Sequence, residues 1–289
     1  MGCAFLLRAR IHWRWRQPGA DLADGPAPML LLDPLARPVI AHRGNRAFAP
    51  ENTLVALQEA VALGADAVEF DVRLSLDGVL MVMHDATLER TTDGHGPVSE
   101  RSAAELARLD AGAKFTRDGG RSFPWRGRGA RLSSFDEIIE SLPDTLPCIV
   151  ELKTADAAEP MRRAIRRHGI DRRVLVAGFD PAATRPLRGA GFALGASSPD
   201  VIALLPRALL GISARPRGFQ ALCLPTRWHG ITVPIAALAR SLRGSAVVTH
   251  VWTINEPAQA LQLWRDGAQG IISDDPGLML RTRQDAGLG

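Results

Sequence analysis

The fold is decided by residues 39–94, which read VIAHRGN at 39–45, PENT at 50–53, AVEFDV at 67–72 and VLMVMHDATLERTTDG at 79–94. Each apolar, β-type run stops at groups that titrate: His42-Arg43, Glu69-Phe70-Asp71 and His84-Asp85. Runs of Val, Ile and Met that end in this way resemble barrel strands whose last residues reach an active-site rim. Two imidazoles near a pair of carboxylates suit acid–base chemistry beside a metal ion.

Outward from that stretch, strand-like and helix-like segments alternate. Strands are expected at 39–42, 66–72, 79–84, 147–152, 173–179, 192–197, 220–224, 247–254 and 269–273. Helical spacing of Ala, Leu and Arg covers 52–63, 101–109, 134–141, 156–168, 181–189, 199–210, 234–242 and 256–266. Pro50 and Pro257 sit at first-turn positions of two of these helices. The alternation predicts an α/β fold, a single-domain (β/α)8 TIM barrel spanning 38–282 with a tail at 283–289. Nine strands compete for eight places, and 72–79 is too short to hold a helix. Residues 110–133, rich in Gly and Arg and carrying Phe115, Phe123 and Trp125, form an inserted loop. It reads as a lid or substrate wall, with a solvated excursion as the plainer alternative.

Composition narrows the class. The chain has 289 residues, 46% of them apolar, which suits one large core. No run approaches the roughly 20 apolar residues of a membrane span. Lys+Arg (35) exceeds Asp+Glu (31), giving +4, but the charge is dispersed and argues against nucleic acid as a partner. Cys3, Cys148 and Cys223 are odd in number and lack metal-ligand spacing, so a reducing, cytoplasmic setting is expected. Residues 1–37 differ from the rest. MGCAFLLRARIHWRWRQPG is basic with Trp13 and Trp15, and reads either as membrane-touching or as an extension ahead of a true start at Met29, the latter preferred. Met1-Gly2-Cys3 resembles an acylation start, but Leu6 stands where Ser or Thr is wanted.

Glu69 and Asp71 are two residues apart on a strand, so they share a face about 6.6 Å apart along the backbone. Carboxylates so placed repel unless a cation lies between them. Glu151 and Lys153 repeat the spacing at another strand end. Three carboxylates suit Mg²⁺ or Ca²⁺ rather than Zn²⁺. The plainer reading, rim salt bridges to Arg43 or Lys153, would be favoured for any one of them but not for all three. His42 and His84, on the first and third strands, could each cap a strand end; together they reach one mouth and can act as acid and base. Arg43 and Lys153 supply fixed positive charge, as a phosphodiester requires. Lys153 is one of only two lysines in a chain that otherwise uses arginine. His12, His95, His168, His229 and His250 lack such surroundings; His250 shares a strand face with Trp252.

Seven motifs, HRGN, PENT, EFD, HDATLERTTDG, ELK, WTIN and GIISDDP, stand in one order from Pro38 to about Leu280. In them the chain resembles the glycerophosphodiester phosphodiesterase family. That resemblance implies a barrel with one divalent ion that cleaves glycerophosphodiesters to sn-glycerol 3-phosphate and an alcohol. It implies His42 and His84 as the acid–base pair, Glu69, Asp71 and Glu151 as metal ligands, and Arg43 and Lys153 as phosphate contacts. Trp252 would wall the glycerol, and Glu51 would support the site from behind. Two departures stand out: Ser133-Ser134-Phe135 replaces a frequent Pro-Thr-Leu, and Gly178-Phe179 stands where Ser-Phe is frequent. An alternative is lysophospholipase D activity, for which the Phe115/Phe123/Trp125 loop would supply an apolar trench. A barrel used only for binding would be expected to lack one of these residues, and none is lost.

Overall fold

A computed structural model describes residues 29–288; the expectations on residues 1–28, the basic tryptophan segment included, lie outside the described residues. Among the described residues there are eleven strands. In chain order these are β1 (Val39–His42), β2 (Ala67–Leu74), β3 (Leu80–Val82), β4 (Cys148–Leu152), β5 (Val174–Ala177) and β6 (Ala193–Leu194). They are followed by β7 (Ala221–Pro225), β8 (Arg227–Trp228), β9 (Ile231–Thr232), β10 (Val248–Trp252) and β11 (Gly270–Ser273). Eight run parallel round a barrel in the order β1-β2-β4-β5-β6-β7-β10-β11, and β11 pairs back onto β1. A single bridge from Gly195 to Ala221 joins β6 to β7 and closes the ring.

The ninth strand candidate has a different place. β3 lies antiparallel on β2, with Val72 opposite Val82, so His84 follows a hairpin and not the third barrel strand. The physical reason is length: a tight connection closes a hairpin, whereas a parallel crossover needs a dozen residues or more. An excursion from Ser75 to Ser134 therefore leaves the barrel between β2 and the helix Phe135–Ser141. It has its own core of Met81, Met83, Leu88, Leu106 and Leu132, and its far part, 110–133, is closed by an Asp110–Arg131 bridge.

The helices are α1 (Leu54–Ala62), α2 (Ala103–Leu106), α3 (Phe135–Ser141), α4 (Ala158–His168), α5 (Pro181–Thr184), α6 (Ser198–Leu209), α7 (Ile235–Ser241), α8 (Pro257–Asp266) and α9 (Pro276–Asp285). Thr53 caps α1 by accepting from Ala56 N, so Pro50 lies in the preceding turn and not in the first turn. Ser134 and Glu137 form a capping box on α3. Pro257 does open α8. α9, which the periodicity does not predict, carries the packed chain past 282, and Arg283 pairs with Asp66 at 2.6 Å.

One apolar layer fills the space between barrel and helices; a second lies inside the barrel. The floor of the barrel is closed by the 3-10 turn Leu30–Leu32, whose Leu31 is fully buried among Ile40, Ala67, Ile149 and Val248. His250, pointing inward from β10, holds that turn through Nε2, 2.9 Å from Leu31 O. Packing thus begins ahead of Pro38. With the floor plugged, only the C-terminal mouth of the strands can host chemistry. Among the described residues no helix is long and apolar enough to cross a membrane.

Candidate active site

Strand register assembles the mouth. Pairing of β1 with β2 puts His42 beside Glu69, and pairing of β2 with β4 puts Asp71 beside Glu151. Oxygen atoms of Glu69, Asp71 and Glu151 lie within 4.8 Å of one another. Burial raises Glu69 well above the usual carboxylate range, and the charge of Asp71 adds to it. Burial raises Glu151 as well. Burial would also raise Asp71, but Lys153 and Arg43 outweigh it and hold Asp71 low. Lys153 Nζ lies 2.8 Å from Asp71 and 2.6 Å from Glu151, partly offsetting repulsion that a divalent cation would cancel. Three hard oxygen donors at this spacing fit Mg²⁺ or Ca²⁺.

The loop after β1 brings the cationic groups. Arg43 has φ 55° and Gly44 φ 87°. A Cβ on Gly44 would meet the Ala56 carbonyl carbon at 2.5 Å, so only glycine lets the loop lie this close on α1. The arrangement turns Arg43 inward, with Nε 3.0 Å from Asp71 and Nη1 2.8 Å from Glu51. Asn52, also left-handed at φ 58°, donates to Asp71 Oδ2 at 2.9 Å and accepts from Asp71 N at 3.1 Å.

Both histidines are held from behind. His42 Nδ1 lies 2.7 Å from Asp274 Oδ1, and His84 Nδ1 lies 2.6 Å from Asp85 Oδ1. An ionised carboxylate only accepts, so Nδ1 carries the proton in both rings and Nε2 is left as the base. His42 Nε2 is 4.0 Å from Glu69. Burial lowers both histidines; Asp274 opposes it at His42, and the charge of Asp71 at His84.

The two carboxylates behind the rings belong to one ionic belt. Arg46 bridges Asp274 (3.1 Å) to Glu51 (3.0 Å), while Arg90 joins Glu51 (2.7 Å) to Asp85. Glu51 is thus the keystone of a path from His42 to His84. The arginines hold its carboxyl well below the usual range against the cost of burial. Sequence reasoning missed Asp274, Asp85, Arg46, Arg90 and Asn52. A signal existed: each stands inside or beside a quoted motif, in SDDP, HDATLER, HRGNR or PENT.

Trp252 ends β10 at the mouth and is half-buried. Two of the three aromatic residues of 110–133 are otherwise engaged: Trp125 Nε1 donates to Phe48 O at 2.9 Å, and Arg126 stacks over Phe123 at 3.9 Å. The loop is pinned to the turn that carries Arg43.

Fold and mouth together define a (β/α)8 barrel enzyme with its polar groups gathered at the C-terminal strand ends. The chain belongs to the Glycerophosphoryl diester phosphodiesterase family, whose profile matches residues 42–278. It is 30% identical over 261 residues to a glycerophosphodiester phosphodiesterase of Caldanaerobacter subterraneus subsp. tengcongensis, covering 86% of this chain and 98% of that protein. A probable glycerophosphodiester phosphodiesterase 2 of Mycobacterium tuberculosis is 30% identical over 271 residues, covering 89% and 95%. Among solved structures, an Oleispira antarctica phosphodiesterase in complex with the product sn-glycerol-3-phosphate superposes with a TM-score of 0.70 at 25% identity, covering 86% of this chain and 97% of that one.

Proposed function

We propose that the chain hydrolyses glycerophosphodiesters to sn-glycerol 3-phosphate and an alcohol, with His42 and His84 as the acid–base pair. The observation that carries this reading is the carboxylate trio within 4.8 Å, flanked by two histidines with Nε2 free. Glu69, Asp71 and Glu151 would hold one Mg²⁺ or Ca²⁺, which would supply positive charge to the nonbridging phosphate oxygens. Arg43 and Lys153 add fixed positive charge beside the same oxygens. One histidine accepts a proton at Nε2 from the attacking hydroxyl, whether water or the glycerol 2-hydroxyl. The other gives its proton to the departing alkoxide. Asp274 and Asp85 stabilise the imidazolium forms and fix the ring planes. Trp252 walls the glycerol.

The reading is tested by supplying glycerophosphocholine, glycerophosphoethanolamine and glycerophosphoglycerol with Mg²⁺ or Ca²⁺ and measuring glycerol 3-phosphate. Release from at least one substrate, abolished by a chelator and restored by the ion, is expected. Absence of ion-dependent release from all three would overturn the proposal.

A further inference from the structure

The sequence spreads its positive charge, but the fold gathers part of it. Between Asp200 and Glu256 there is no Asp or Glu, while six arginines occur. All but Arg227 stand in the last turn of a helix or in the connection from a helix to the next strand. In a barrel those positions lie at the floor, opposite the mouth. Arg265 joins them from the last turn of α8. Arg215, Arg217, Arg240, Arg243 and Arg265 are exposed, and among the described residues none pairs with a carboxylate, whereas Arg188 and Arg283 at the same end pair with Asp200 and Asp66. Asp33 and Asp266, half-buried acids of this sector, offset only part of the charge.

Aliphatic side chains stand beside these arginines. α6 ends at Gly211, φ 69°, where Gly211 N donates to Ala208 O at 3.2 Å and Ile212 N to Arg207 O at 2.8 Å. A turn of this kind often packs the residue after the glycine against the helix. Here Leu209, Leu210 and Ile212 are instead 67%, 75% and 46% exposed. Ala214 N then donates to Ser241 O at 2.7 Å, which fastens the turn to the end of α7, next to Arg243. Ahead of β1, Leu35 is 85% exposed. Among the strand starts between these apolar residues opens a cavity of about 300 Å³, lined by Arg37, Arg243, Arg265, Ser245 and Thr249 and by no carboxylate. Leucines left in water around a cationic hollow mark an interaction surface.

We infer that the floor of the barrel docks on an anionic lipid bilayer, with the mouth turned to the water. Lipid phosphates meet the arginines, and the cavity between Arg37, Arg243 and Arg265 receives one of them through the planar guanidinium forks. Leu35, Leu209, Leu210 and Ile212 sink below the head groups, as the apolar face of an interfacial element does. A nucleic acid would match the charge but not the aliphatic residues, which offer no ring for base stacking. A second copy of the same face would bring like charge against like. The residues ahead of Met29 join the described chain at this end and are themselves net positive, with Arg8, Arg10, Arg14 and Arg16 against Asp21 and Asp24. They add to the attraction and do not neutralise the floor. The surface lies at the opposite end from the acid–base site, so its assignment is independent of the phosphodiesterase reading.

The test sediments the full chain with vesicles of phosphatidylcholine alone and with vesicles in which about one third of the lipid is phosphatidylglycerol. Binding to the anionic vesicles at roughly 50 mM NaCl is expected, with none to the neutral vesicles and loss at roughly 500 mM. Arg243→Gln with Arg265→Gln should lower partitioning by about 25-fold, roughly fivefold per arginine. Leu210→Asp should lower it about tenfold or more without touching an arginine. All three positions are exposed, and denaturant melts check that the variants stay folded. Arg215→Gln with Arg217→Gln, on a different connection, repeats the charge test should the first pair misfold. Absence of binding, equal binding to neutral vesicles, or binding unchanged in the arginine variants or in Leu210→Asp overturns the inference. Binding unchanged in every variant assigns the contact to residues 1–28. Loss in the arginine variants alone, with a single-stranded oligonucleotide displacing the vesicles, assigns the face to nucleic acid instead.

Discussion

His42 and His84 each spend Nδ1 on a carboxylate, and that choice decides what Nε2 can do. With Asp274 and Asp85 accepting from Nδ1, each ring is fixed in one tautomer and oriented toward the acids. Replacing either ring by alanine should lower kcat by about 10²–10⁴-fold. Asp274→Asn should act in the same direction, because an amide can present its own N–H to Nδ1 and favour the wrong tautomer. Its KM for glycerophosphocholine should move far less than its kcat; a change confined to KM would assign Asp274 to substrate binding instead. On the proposed reading, Glu69 holds the cation. Glu69→Gln should weaken Mg²⁺ or Ca²⁺ affinity by more than the roughly 10–100-fold typical of losing an outer partner. Calorimetric titration of the ion reads this directly, and an unchanged affinity would remove Glu69 from the ligand set.

At the scale of elements, the loop from β1 to α1 has to fold tightly for Arg43 and Asn52 to reach Asp71. Gly44→Ala should destabilise the protein by more than about 1 kcal/mol, since the new Cβ meets Ala56 backbone and the residue keeps a positive φ. Denaturant melts of the two proteins check it. The belt through Glu51 ties that loop to the excursion: Arg90, from 75–134, reaches back to the residue that grips Arg43. Much of this was legible in the sequence. The barrel strands fall within three residues of the expected positions, and His42, Glu69, Asp71, Glu151, Arg43 and Lys153 lie together at one mouth. β3 was not, because Leu80-Met81-Val82 is equally apolar in an antiparallel hairpin and in a barrel strand; pairing partner, not pattern, tells them apart. α9 escaped because its apolar face is narrow, with four polar residues in Arg281-Thr282-Arg283-Gln284. The belt escaped because its contacts join residues up to 228 positions apart, which no local spacing records.

The whole barrel is organised by an asymmetry between its two ends: the mouth is polar and open, the floor plugged by Leu31. Deleting the plug side chain in Leu31→Ala should cost about 2–5 kcal/mol, the range for cavities in a close-packed interior. The plug also makes stability depend on pH through His250. Burial pushes His250 down to about 4 from an ordinary 6.5, so the folded protein holds the ring neutral, with Nε2 on Leu31 O. Gly270 leaves the room the ring needs, since a Cβ there would collide with His250 Nδ1. The unfolded chain binds the proton first as pH falls. Stability from this group is therefore complete above pH 6.5 and is lost progressively down to about pH 4, by up to about 3 kcal/mol. His250→Gln can still donate to Leu31 O but cannot titrate. Urea unfolding of the two proteins between pH 7.5 and pH 4.5 should show the wild type losing stability faster, so that the gap between them narrows or reverses in acid. Parallel curves across that range would mean that His250 is not held neutral against the plug, and that the floor is closed by Leu31 packing alone.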